Sequence, residues 1–157
     1  MIHPKKLFRR GLLPATLLVL GMVFLAGCGR LGLRDFPLTD TVWQWVSVAE
    51  TSTHATTEVP NPENYTIILR EDGTFSGMAD CNVIGGTYTN PEEGVIDFQL
   101  GVSTLAFCGE GSLDQQFLAL LDGVVAGSPD EEGGLGLETA GGAQRMTFQN
   151  GGSAPAP

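Results

Sequence analysis

Basic side chains are almost absent from most of this chain. Beyond Cys28 only Arg30, Arg34, Arg70 and Arg145 are positive, against all 18 acidic residues, so that portion carries a formal charge of −14. A surface of that sign repels phosphate backbones and anionic lipid headgroups, and no nucleic-acid partner is expected. Charged residues of either sign are few, at 17%, which argues against a charged helical bundle; the 42% hydrophobic content argues against a disordered chain. Histidine is limited to His3 and His54, and cysteine to Cys28, Cys81 and Cys108. Zinc sites draw on several such ligands at close spacing, so no metal is expected, and no glycine-rich phosphate cradle precedes a helix to suggest a cofactor.

What is plentiful is turn chemistry. The 157 residues include 22 Gly and 9 Pro, which fits one domain of short strands joined by tight turns. The one long uncharged run lies near the start, from Gly11 to Gly27, after Lys5, Lys6, Arg9 and Arg10. A basic stretch, an apolar core and small residues make the three-part pattern of a secretory signal. Pro14 and the glycines of the run make it a poor membrane-spanning helix. Leu25-Ala26-Gly27-Cys28 resembles the bacterial lipobox, in which the cysteine sulfur receives diacylglycerol before cleavage. The expected organisation is a signal peptide over 1–27, lipidated Cys28 and a spacer over 28–38, a folded domain over 39–149, and a disordered tail over 150–157. The domain is then tethered to a membrane through its lipid, in the cell envelope: at the outer membrane of a diderm host or the outer face of the cytoplasmic membrane of a monoderm one. With Cys28 assigned to the lipid, Cys81 and Cys108 remain as an even pair in an oxidising compartment, where a disulfide persists.

Within the domain, Thr41–Val48 is rich in β-branched and aromatic residues and predicts a strand. The polar stretch 50–64, with Pro60 and Pro62, predicts a loop. Tyr65, Ile67 and Leu69 alternate on one face of a second strand, Gly73 supplies the positive φ of a hairpin, and Thr74–Met78 returns. Gly85 and Gly86 are read as positive-φ positions leading into Thr87-Tyr88-Thr89. Asn90–Gly94 is a turn. Val95–Leu100 alternates Ile96, Phe98 and Leu100 inward. Ser112 and Gln115 fit a capping box at the head of a helix whose apolar stripe is Leu113, Phe117, Leu120, Leu121 and Val124. Two short strands, Leu135–Thr139 and Gln144–Phe148, close the domain. The fold class expected is α+β: a mainly antiparallel, strongly curved or barrel-like sheet with one packed α-helix.

Several pieces recur in a telling order: an early strand tryptophan (Trp43 or Trp45), Gly73-Thr74-Phe75-Ser76-Gly77, Cys81-Asn82 followed by Gly86-Thr87-Tyr88, Ser103-Thr104 with Phe107-Cys108, a helix with Phe117 and Leu120, and Leu135-Gly136-Leu137 before Met146-Thr147-Phe148. That order resembles the META domain family, the HslJ-like proteins of bacterial envelopes. The resemblance implies a compact antiparallel domain with one helix, frequent on lipoproteins, linked in some members to heat or antibiotic stress and in eukaryotic parasites to secretion and virulence. It implies no accepted enzymatic activity and no transferable active site. Ala106-Phe107-Cys108 stands where the family often shows Met-Ala-Cys, and the stretch Asp130–Gly134 is more acidic than the family's.

Candidate chemistry is thin. Ser103 and Thr104 are nucleophile types, but His54 sits in a Thr/Ser-rich loop without a triad signature. Asp130-Glu131-Glu132 lacks the alternating ligands of a calcium loop and reads as a solvated turn. Asn82 offers amide hydrogen bonds either to a ligand or to its own turn, with the glycines and Cys81 serving structure. The function expected is therefore a non-enzymatic, lipid-anchored envelope protein that binds a protein or envelope component, with a stress-related role. The alternatives are a carrier or sensor of small hydrophobic ligands, with a cavity lined by Trp43, Trp45, Phe75 or Phe98, and a carboxylate-dependent hydrolase. Trp43, Trp45 and Asn82 are the candidate binding residues.

Overall fold

The computed structural model describes residues 38–130 and 132–156. The segment expected to be a signal peptide, 1–27, and the expected lipidation site Cys28 lie outside them. Among the described residues no helix is long and apolar enough to cross a membrane.

Nine strands follow in chain order: β1 (Thr41–Glu50), β2 (Thr56–Glu58), β3 (Tyr65–Leu69), β4 (Thr74–Ala79), β5 (Asn82–Thr89), β6 (Asp97–Ser103), β7 (Val124–Pro129), β8 (Leu135–Thr139) and β9 (Gln144–Ser153), with helix α1 (Asp114–Asp122) between β6 and β7. They form one antiparallel sheet in the order β6-β5-β4-β3-β1-β9-β8-β7, with β2 paired to β1. The sheet curls until its two edges approach: Val95 bridges Ala126, and the Gly127 N–H donates to Gly94 O at 3.1 Å. The expected α+β class, curved sheet and single helix are observed.

The inward faces follow from alternation. Trp43 and Trp45 on β1, Tyr65, Ile67 and Leu69 on β3, Phe75 and Ala79 on β4, and Met146 and Phe148 on β9 share one core with Phe117, Leu120 and Leu121 of α1. The helix fills the interior with an aromatic stack: the Phe117 ring lies 5.2 Å from Trp45 and 5.8 Å from Tyr65. On β1 the alternation breaks once. The β1–β9 register shifts between Trp45 and Ser47, so Val48 rather than Ser47 turns inward, and the Trp45 indole N–H donates to Ser47 O at 2.8 Å across the bulge.

Two strand glycines are dictated by packing. A Cβ on Gly77 would collide with Thr66 O, and one on Gly86 with Gln99 O. Gly85 and Gly86 are thus ordinary strand residues, absent from the positive-φ set, and the turn role expected of them is replaced by close backbone approach. The β5–β6 register shifts at this pair, and with it Leu100 is left exposed rather than inward.

Other expectations are corrected. The loop 50–64 contains β2 and a short 3₁₀ turn at Pro62–Asn64. The helix ends at Asp122, and Val124, three residues beyond Leu121 and so in phase with the stripe, opens β7 instead. The capping box is not formed: Ser112 Oγ accepts from the Asp114 N–H at 3.2 Å, while Gln115 Nε2 turns to Asp114 Oδ2. The segment expected as a disordered tail begins as strand. β9 runs to Ser153, pairing Asn150 with Trp43 and Ser153 with Thr41. Beyond it, the Ala154 N–H donates to Asp40 O at 2.8 Å, and Arg70 bonds both Asp40 Oδ1 (2.7 Å) and Pro155 O (2.8 Å), clasping the entry and exit of the domain.

Candidate functional site

The densest polar cluster is built on a two-residue hairpin. Ala79 and Asn82 pair, leaving Asp80 and Cys81 at the tip with Asp80 at φ 57°, a left-handed position that Asp tolerates better than most residues. The turn leaves Asn82 as the first residue of β5, with its side chain buried. Its Oδ1 accepts from the Ala106 N–H (2.8 Å) and the Thr104 hydroxyl (3.0 Å). Its Nδ2 donates to Ala106 O (3.1 Å) and to Asp114 Oδ2 (3.2 Å), and lies 3.3 Å from Cys108 Sγ. Thr104 Oγ1 in turn accepts from the Val83 N–H at 2.9 Å. One amide therefore joins the start of β5, the loop after β6 and the first turn of α1. Beside it, the Cys81 and Cys108 sulfurs stand 2.02 Å apart, with 5.5 Å between Cα atoms, and Tyr65 Oη accepts from the Leu113 N–H at 2.9 Å.

Asn82 thus spends its donors and acceptors on its own chain, which leaves no amide atom to grip a ligand. Replacing it with Ala should cost about 2 kcal/mol, because a buried bonding partner is lost from several groups at once. Urea denaturation gives the loss, and faster hydrogen exchange at the Ala106 amide would locate it; unchanged exchange there would show the loop to be held by other contacts.

Trp43 and Trp45 are fully buried. The Trp43 indole N–H donates to Leu38 O at 2.9 Å, and both rings fill the core rather than line a ligand chamber. Phe75 and Phe98 pack edge to face on each other, 5.3 Å apart. Ser103 Oγ donates to the neighbouring Thr104 O, and Thr104 is committed to Asn82, so neither hydroxyl is paired with a base. Asp130 lines a surface depression with Glu132, Gly134 and Gln149, but its Oδ1 accepts the N–H groups of Glu132 (2.9 Å) and Gly134 (2.5 Å) and folds its own loop. Among the described residues no group of three or more His, Cys, Asp or Glu is placed to hold a metal ion.

A second depression, lined by Asp40, Arg70, Asp72 and Thr74, sits at the far end of β3. The Thr74 hydroxyl and N–H on the Asp72 carboxylate hold its pKa below the usual value. Burial, reinforced by Asp72, Asp40 and Glu71, raises that of Tyr88, whose hydroxyl donates to Arg70 O at 2.9 Å. Arg70 pairs with Asp40 and Arg145 with Glu138; these are the two salt bridges among the described residues. The other described carboxylates have no cationic partner within salt-bridge distance.

The sequence pattern of the META domain matches residues 36–152, most of the chain. The chain belongs to the META domain family. This META domain is similar to a protein from Burkholderia xenovorans solved by NMR, at 22% identity and a TM-score of 0.55, covering 72% of this chain and 83% of that one. It is also similar to a DUF4847 family protein from Bacteroides vulgatus, at 14% identity and a TM-score of 0.54, covering 71% of this chain and 92% of that one. At these identities the likeness is one of fold. No curated protein sequence matches the chain.

The META domain also displays something the pattern of the sequence did not flag. Leu105 and Phe107, on either side of the pinned Ala106, are 88% and 87% exposed. Alternation offers no signal here, because the loop belongs to neither strand nor helix.

Proposed function

We propose that this META domain is the binding module of a lipid-anchored envelope protein, that it acts without catalysis, and that it recognises a basic protein or envelope component in a stress-related setting. The observation that carries the reading is electrostatic: both arginines of the described domain are already paired, so the acidic surface has no cation of its own and is complementary to a positively charged partner. The lipobox at Cys28 supports the tether, and two or three acyl chains would hold the domain stably at a membrane. The export that this implies favours oxidation of Cys81 and Cys108 to a disulfide. The burial of Trp43 and Trp45 weighs against the carrier alternative, which needs those rings on a cavity wall.

Mild crosslinking of the tagged protein in its native envelope, with Cys28→Ala as the untethered control, tests this. A basic protein recovered in stoichiometric amount only with the tethered form is the expected result. Recovery of bound lipid or small molecules alone would overturn it, as would turnover of an envelope substrate by the purified domain that a single Asp or Ser substitution abolishes.

A further inference from the structure

The exposed loop after β6 combines two properties that rarely coincide: large apolar side chains in water and a backbone that is held. Leu105 and Phe107 are almost wholly exposed, a placement that exacts a hydration penalty and marks a surface for contact. Between them the Ala106 backbone is bonded through both its N–H and its C=O to the buried Asn82 amide, and Thr104 and Cys108 on either flank are fastened to β5 and to Cys81. Ordering the loop on binding therefore costs little further entropy.

The apolar surface extends onto the sheet. Val83 exchanges bonds with Thr104, whose N–H donates to Val83 O at 3.0 Å, and Val102 pairs with Gly85, so Val83 and Val102 are diagonal neighbours on the outer face, 54% and 74% exposed. The rim is acidic. Asp80 adjoins Cys81, Glu110 lies two residues past Cys108, and Asp114 opens the helix. Neither described cation neutralises it: Arg70 follows the opposite end of β3 from Tyr65, about 16 Å along the strand, and Arg145 is paired with Glu138 on β8. The described chain begins at that opposite end, where Thr39 bridges Leu69.

We propose that Leu105 and Phe107 form a preorganised anchor that packs against the apolar face of a Lys- or Arg-rich amphipathic helix on a partner protein. The proposal rests on the binding reading above and assigns its contact surface. A bilayer is the weaker occupant, because Asp80, Glu110 and Asp114 would be driven against phospholipid headgroups, with repulsion from anionic ones. An aromatic and an aliphatic side chain at the centre with charges around them match the usual distribution of binding energy in protein interfaces.

The test titrates the full chain, held in phosphatidylcholine nanodiscs, with a fluorescein-labelled amphipathic helical peptide of Leu and Lys. Wild type should bind saturably. Leu105→Ser/Phe107→Ser should weaken binding about tenfold or more with an unchanged thermal midpoint, since both side chains are exposed, and Phe107→Ala alone should account for most of that loss. Asp80→Asn/Glu110→Gln should weaken it less and flatten its salt dependence. Wild-type affinity in the Leu105/Phe107 variant would overturn the anchor while leaving an acidic binding face elsewhere. Absence of peptide binding by wild type would overturn the proposed partner chemistry. Loop-dependent transfer of the chain onto phosphatidylglycerol vesicles would overturn it in favour of a bilayer wedge. The binding reading itself is judged separately, by whether the tether-dependent envelope partner is recovered with wild type.

Discussion

Trp45→Ala should destabilise the domain by about 3 to 5 kcal/mol, a large share of the roughly 5 to 15 kcal/mol typical of a single domain. The indole is fully buried, stacks on Phe117 at 5.2 Å, meets Tyr65 edge-on at 5.8 Å, and closes the β1 bulge through its N–H to Ser47 O. Truncation removes all of these and leaves a void between sheet and helix that neighbours on a paired strand are poorly placed to fill. Trp45→Phe keeps most of the ring packing and loses the hydrogen bond, so its cost should be well under half as large. Urea titration followed by the remaining Trp43 fluorescence measures both. If Trp45→Ala were nearly neutral, the ring would not be the keystone of the core, and a ligand-lining role for it would regain weight.

Cys81→Ala/Cys108→Ala should lower stability by roughly 3 to 4 kcal/mol in oxidising buffer, because the 27-residue separation sets the entropy that a crosslink removes from the unfolded chain. Thiol reduction of the wild type should lower the urea midpoint comparably, and should leave the double variant unmoved. The Asn82 bonds to Thr104 and Ala106 involve neither sulfur, so the native loop position should survive in the variant, and the loss should come chiefly from the unfolded state rather than from loosened native contacts. A double variant as stable as wild type in oxidising buffer would show that the pair contributes no crosslink.

Inward faces were legible wherever a strand stayed regular. Tyr65, Ile67 and Leu69, and Phe117 with Leu120 and Leu121, lie where period-two and helical spacing put them. Legibility failed where the register slipped. Leu100 continues the alternation of Ile96 and Phe98, yet the bulge opposite Gly85 and Gly86 leaves it exposed. Val124 keeps the helical phase beyond the end of the helix and is used as a strand residue. Asn150–Ser153 is polar and glycine-rich, with no face to bury, and becomes strand because β1 offers it unpaired backbone groups. Among the candidate binding residues, type was readable and placement was not: tryptophan fits a core as well as a pocket, and an asparagine after a turn serves a ligand as well as a loop.

By itself the sequence determined the class of the domain, its family and its acidity, because these depend on composition, local periodicity and the order of short segments. Only the tertiary structure decided that the Asn82 amide is consumed by residues 22 to 32 positions away, that both tryptophans are interior, and that Leu105 and Phe107 stand in water. Those outcomes hang on contacts between distant parts of the chain. A side chain's own neighbours in sequence set which way it can point, but the curl of the sheet and the seating of the helix set what it meets there.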